Sequence, residues 1–160
     1  YEDGSDVDVP ADGTIGNWDE LNDEMRLNQY GWYIDFDESK ERNLGQATLL
    51  GDILTFTTYV PSLDPCEFEG YTNLWATYYA TGTAYYQSVI GLGDLTSPAG
   101  KSDVLRKTRL GAGLSITPNI HVGREEGSKV FVQTSTGAIE VMQQANPGMT
   151  KSGRLSWQEE

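Results

Sequence analysis

From Gly31 onward, β-branched and aromatic residues recur in short runs, each closed by Gly, Pro, Asn, Asp or Ser. Segments this short between turn signals leave little room for helices and commit the body of the chain to antiparallel strands. Residues 32–36 (WYIDF) read as a first strand. Two stretches of similar layout follow. The first holds strands at 46–51, 52–60, 71–82 and 84–90, the second at 115–123, 128–136, 137–144 and 153–160. Gly51-Asp52 and Thr136-Gly137 sit where tight turns belong. Four short antiparallel strands in a repeat of roughly 40–50 residues is the layout of a propeller blade. The expected fold is therefore all-β: two four-stranded propeller-like blades, an incomplete β-propeller over residues 31–160. A β-sandwich is the competing closure. The connector at 91–114 adds a possible short strand near Leu105–Arg109.

A blade has two faces and needs neighbours to cover them. Leu49, Phe56, Trp75, Phe131, Ile139 and Trp157 are too many large apolar side chains for one sheet-to-sheet contact. The sequence thus predicts two open outer faces and a protein partner, either the rest of a propeller or another copy.

The first 30 residues differ in character. Residues 1–45 hold 13 acids against 3 bases, a balance of −10, whereas residues 46–160 hold 11 against 8, a balance of −3. Residues 1–30 read as an acidic arm. It carries one helix near 17–28, with Asn17 as cap, Glu20 three residues on, and Trp18, Leu21 and Met25 on one face. A net charge of −13 argues against nucleic acid and against anionic lipid, since no basic stripe is present. No apolar run is long enough for a membrane span, so no membrane insertion is expected. A start at Tyr1 without a leader fits a processed or truncated product.

Few residues point to chemistry. Asp3, Asp6, Asp8 and Asp12 offer oxygen atoms of the kind calcium takes, but without the spacing of a calcium loop, and a solvated acidic tail is the competing reading. His121 has no second His or Cys near it in sequence, which argues against zinc. No G-x-S-x-G elbow is present, and Asp35/Asp37 and Glu125-Glu126 read as surface charge. Tyr71, Trp75, Tyr78, Tyr79, Tyr85 and Tyr86 form an aromatic-rich hairpin. Alternation along a strand sends one of each Tyr pair inward for packing and the other outward, towards a candidate partner contact. Cys66 is the single cysteine, so it is either a free thiol or a candidate for an interchain disulfide.

Several runs together carry a resemblance. They are Gly31-Trp32-Tyr33-Ile34-Asp35-Phe36, Glu41-Arg42, Phe56-Thr57-Thr58-Tyr59-Val60-Pro61, Asp64-Pro65-Cys66, Thr81-Gly82 and Gly153-Arg154-Leu155-Ser156-Trp157. In this order they resemble the C-terminal propeller of PilY-type proteins, the large adhesins associated with type IV pili. The resemblance spans about residues 31–160. The loop after Cys66 lacks the family's Gly pair, Trp75–Tyr79 lacks an acid before the Thr81-Gly82 turn, and the acidic arm matches nothing in the family. The resemblance implies a cell-surface or extracellular module for pilus assembly and attachment, a calcium-responsive propeller, and a cysteine partner outside this chain for Cys66.

The leading expectation is a non-catalytic structural and adhesive module, the C-terminal part of a PilY-like protein. The second is a filament subunit stacking head to tail through its open faces. An enzyme resembling the quinone-dependent propeller dehydrogenases is the third, and no convergent catalytic set supports it.

Overall fold

The computed structural model describes residues 18–64, 69–86, 89–91, 106–122 and 128–145. Among them, helix α1 runs Trp18–Asn28. The strands are β1 (Arg42–Asn43), β2 (Thr48–Leu50), β3 (Ile53–Val60), β4 (Tyr71–Tyr78), β5 (Ile90–Gly91), β6 (Lys107–Ala112), β7 (Asn119–Val122), β8 (Ser128–Gln133) and β9 (Ile139–Gln144). They make two antiparallel sheets, so the all-β expectation with one short helix holds.

The first sheet runs β1-β3-β4-β6, with β2 also on β3. Its centre is the β3–β4 pair, in register from Ile53↔Tyr78 to Val60↔Tyr71. The second sheet runs β5-β9-β8-β7. Alternation assigns the faces. Ile53, Leu74, Ala76 and Tyr78 turn towards Val130, Val132 and Met142 of the second sheet, and with Val89 and Ile90 they form the buried core. Polar groups inside this layer are paired. Thr55 Oγ1 donates to Gln144 Oε1 at 3.2 Å, and Gln144 Nε2 to the Leu50 carbonyl at 3.4 Å.

Residues 113–118 carry the chain from one sheet to the other. The Thr72 hydroxyl donates to the Gly113 carbonyl at 2.7 Å and accepts from the Ser115 amide at 3.1 Å. The Thr57 hydroxyl donates to the Ile116 carbonyl, and Thr48 Oγ1 to the Pro118 carbonyl at 3.1 Å. Gly45 lies so close to the Ile116 backbone that a side chain there would collide with it. Buried threonines thus hold the crossing segment by hydroxyl bonds where an apolar side chain would leave carbonyls unpaired.

Three expectations are corrected. First, residues 32–36 are extended but lie in no ladder. Trp32, Ile34, Phe36 and Glu38 are half-buried while Tyr33, Asp35 and Asp37 are exposed, because the segment crosses the face of the first sheet instead of joining its edge. Second, 84–90 does not supply the fourth strand of the first sheet. After β4 the chain turns tightly, with the Gly82 amide on the Tyr78 carbonyl at 2.9 Å. Among the described residues that follow before β6, only Ile90–Gly91 pairs, and it pairs with β9 of the other sheet. The connector strand β6 takes the vacated place. Third, the outer face of the first sheet is not open: Phe56 and Trp75 are buried, stacked on one another, and Phe36 packs on the Trp75 ring. On the second sheet, Phe131, Ile139 and Val141 share the outward face, the last two 61% and 41% exposed. The strand expected at 153–160 lies outside the described residues.

The buried intersheet layer and the outward face of the second sheet differ sharply in energy. Leu74→Ala in the intersheet layer is expected to lower unfolding free energy by about 2–5 kcal/mol. Ile139→Ala is expected to change it by no more than about 0.5 kcal/mol. Urea denaturation followed by circular dichroism measures both.

Candidate functional site

The extended segment 31–41, here the strap, ends in a turn closed by the Glu41 amide on the Glu38 carbonyl at 3.0 Å, with Lys40 at φ 63°. Pairing of Arg42 and Asn43 with Tyr59 and Thr58 then draws Glu41 inward. Its side chain is 0% exposed. Oε1 of Glu41 accepts three hydrogen bonds: from the Thr58 hydroxyl, from Asn73 Nδ2 at 3.1 Å and from Trp75 Nε1 at 3.3 Å. Trp75 Nε1 also lies 2.8 Å from Thr58 Oγ1. Glu41 Oε2 is buried without a hydrogen-bond partner, with Lys107 Nζ 3.7 Å away.

Strand register explains this convergence. Tyr71, Asn73 and Trp75 alternate onto one face of β4, and Thr58 stands opposite Asn73 on β3. Lys107 stands opposite Trp75 on β6, where a register shift between Thr72 and Asn73 adjusts the pairing. The Lys107 ammonium meets Asp37 at 3.0 Å and Glu38 at 3.6 Å, besides Glu41. The Trp75 ring is stacked nearly parallel on Phe56 at 5.7 Å and tilted against Phe36 at 5.4 Å. Arg106 and Lys107 stand over it at 5.1 and 5.2 Å. The Tyr71 hydroxyl donates to Glu38, and Arg109 lies 3.7 Å from the Tyr71 ring centre.

These contacts set the protonation of the cluster. The Tyr71 hydroxyl holds the Glu38 carboxyl below its ordinary value; burial opposes this and Lys107 reinforces it. The same bond, with burial, raises Tyr71. Burial pulls Lys107 down, but Asp37, Glu41 and Glu38 together outweigh it and leave Lys107 raised. Glu41 has no exposed surface through which to reach a dissolved substrate, and three donors occupy one of its oxygens. Its chemistry is to hold the strap and two strands together.

A second cluster lies where α1 meets the β4 turn. Trp18 packs on Tyr78, Tyr85 and Tyr86 at 5.0, 5.1 and 5.2 Å. Tyr78 is buried while Tyr79 and Tyr86 are 44% and 50% exposed. Burial, helped by the hydrogen bond the Tyr85 hydroxyl donates to Tyr86, pushes Tyr85 up to about 12. The strap reaches this end too. Trp32 Nε1 donates to the Tyr79 carbonyl at 2.8 Å, and its ring lies against Gly82, whose φ of +70° and missing side chain make room.

The residues singled out in the sequence therefore divide. Tyr71 and Trp75 enter the strap cluster, whereas Tyr78, Tyr79, Tyr85 and Tyr86 enter the helix cluster. Asp3, Asp6, Asp8, Asp12 and Cys66 lie outside the described residues. His121 is exposed on β7, opposite Lys129. Among the described residues no three His, Cys, Asp or Glu side chains are arranged to hold a metal ion. Sequence reasoning missed Glu41, Asn73 and Lys107 as a unit. In the sequence the Glu41-Arg42 pair appears only as one of the resembling runs. No family model matches the chain, and no curated protein or solved structure is significantly similar to it.

Two results are expected. Glu41→Ala removes the acceptor that Thr58, Asn73 and Trp75 share, takes from Lys107 its buried partner, and should cost about 3–5 kcal/mol. Glu41→Gln keeps an acceptor for the three donors and should cost less than half as much, measured by urea denaturation. The pH profile should show two limbs. A lowered Glu38 contributes stability that is present above its ordinary 4.5 and lost as pH falls through its folded value. Raised Tyr71 and Lys107 contribute stability present below their ordinary 10.0 and 10.5 and lost as pH rises through their folded values. Thermal melts across pH should show loss at both extremes, and Lys107→Met should weaken the alkaline limb.

Proposed function

We propose that this chain is a non-catalytic structural and adhesive module, the C-terminal part of a PilY-like pilus-associated protein acting outside the cytoplasm. One observation carries the reading. Residues of the resembling motifs, scattered in sequence, meet in single contacts: Trp32 on Gly82, and Glu41 with Thr58. A motif whose members hold one another in the interior serves architecture. The most buried acid is spent on the strap, in keeping with a part that positions surfaces and performs no reaction. The outward Phe131, Ile139 and Val141 offer the module a face for the remainder of the propeller or a pilus component.

The strap also separates this reading from a head-to-tail filament subunit. Stacking of that kind uses two complementary faces. Here Phe36 and Trp32 occupy the first sheet's outer side, which favours a module docked through one face. Calcium remains part of the proposal through Asp3, Asp6, Asp8 and Asp12 alone.

Immunogold labelling of intact, producing cells with an antibody raised to this chain tests the reading. Label along or at the tips of surface pili is expected, with attachment reduced several-fold by Ile139→Asp in the full-length protein. Label confined to the cytoplasm of opened cells would overturn it.

A further inference from the structure

The strap is attached in an unusual way. Residues 31–38 contribute no strand to either sheet. What fixes them are side-chain contacts at three places: Trp32 on the Tyr79 carbonyl, Phe36 on Trp75, and Asp37 and Glu38 on Lys107. Beyond Glu38 comes the turn with Lys40 at φ 63°, a left-handed backbone that a side chain adopts at some cost. On the far side of that turn, Glu41, Arg42 and Asn43 are bound into the sheet independently by Thr58, Asn73 and the β1–β3 pairing.

We propose that residues 31–38 form a hinged cover over the Phe56–Trp75 face, turning at Ser39–Lys40 and latched by the Lys107 ammonium. The latch is electrostatic and close to neutral as a group. Asp37, Glu38 and Glu41 approach from the strap side, while Arg106, Lys107 and Arg109 approach from β6, with the Tyr71 hydroxyl from β4. Neutralising the strap's two carboxylates, Asp37 and Glu38, removes the charged ties of residues 37–38 without touching the β3–β4 ladder. The remaining ties at mid-strap are then the Phe36–Trp75 ring contact and the uncharged hydrogen bond between the Tyr71 hydroxyl and Glu38. Loss of those charges therefore lifts the cover before it unfolds the sheets. The lifted state presents a second apolar face, at Phe56 and Trp75, besides that of the second sheet.

Fluorophenylalanine labelling of the whole chain gives one 19F signal for each of its 4 Phe residues. Phe→Leu variants assign them, and the H2O/D2O shift of each signal reports its exposure. In Lys107→Met the stem still packs along Trp75 but the charge is gone. The shifts of Phe36 and Phe56 should at least double in that variant while Phe131, on the second sheet, stays constant. The Asp37→Asn/Glu38→Gln double variant at neutral pH should show the same pattern, and it decides the matter should Lys107→Met not fold. Unchanged Phe36 and Phe56 signals in the double variant overturn the proposal. So does a joint movement of all three signals, which means global unfolding.

Discussion

A carboxylate sealed from water holds the outer side of the first sheet together. Desolvating such a charge costs several kcal/mol, and only good partners offset it. Glu41 has them on one oxygen: the hydroxyl of Thr58, the amide of Asn73 and the indole of Trp75. On its other oxygen it has only the charge of Lys107 at 3.7 Å. The partners come from β3 (Thr58), β4 (Asn73 and Trp75) and β6 (Lys107), so this one group fixes the register of strap, β3, β4 and β6 relative to one another. A hydrophobic residue could fill the space, but the Thr58 hydroxyl, the Asn73 amide and the Trp75 indole would lose the acceptor they share.

That constraint shapes what the molecule presents outside. With Phe36 and Trp32 laid over Phe56, Trp75 and Gly82, the first sheet has its own cover. The second sheet has none among the described residues, and Ile139 and Val141 stand out from it. The two ends of the layered structure are therefore chemically unequal. One is closed by charge and aromatic contacts, and the other is apolar and open. Such inequality suits a part joined to something larger on one side.

Alternation of residue types revealed extended backbone well, and β3, β4, β7, β8 and β9 fall close to where it places them. It also marked residues 32–36 as extended, while misassigning that segment to a ladder. Period two reports an extended chain, and an extended chain has the same period on a sheet's face as at its edge. Residues 84–90 failed for a related reason. Their aromatic content suits a strand, yet hydrogen bonds of the Tyr78–Thr83 turn redirect the chain, and Trp18 of the helix claims Tyr85 and Tyr86. Glu41 was legible only as part of a resembling run, and its burial was not, because acids are rarely buried unless paired. Lys107 carried no local signal at all. Its role arises from the register that sets it opposite Trp75.

The account rests on the strap lying over Trp75 within the same chain. Nuclear Overhauser spectroscopy of the natural protein at neutral pH, with the Phe36 and Trp75 rings assigned, examines that contact directly. A ring centre separation of 5.4 Å should give strong cross-peaks between the two rings, together with cross-peaks from the Trp32 indole to Gly82. Absence of both sets, in a sample whose β3–β4 cross-peaks are intact, would contradict the account.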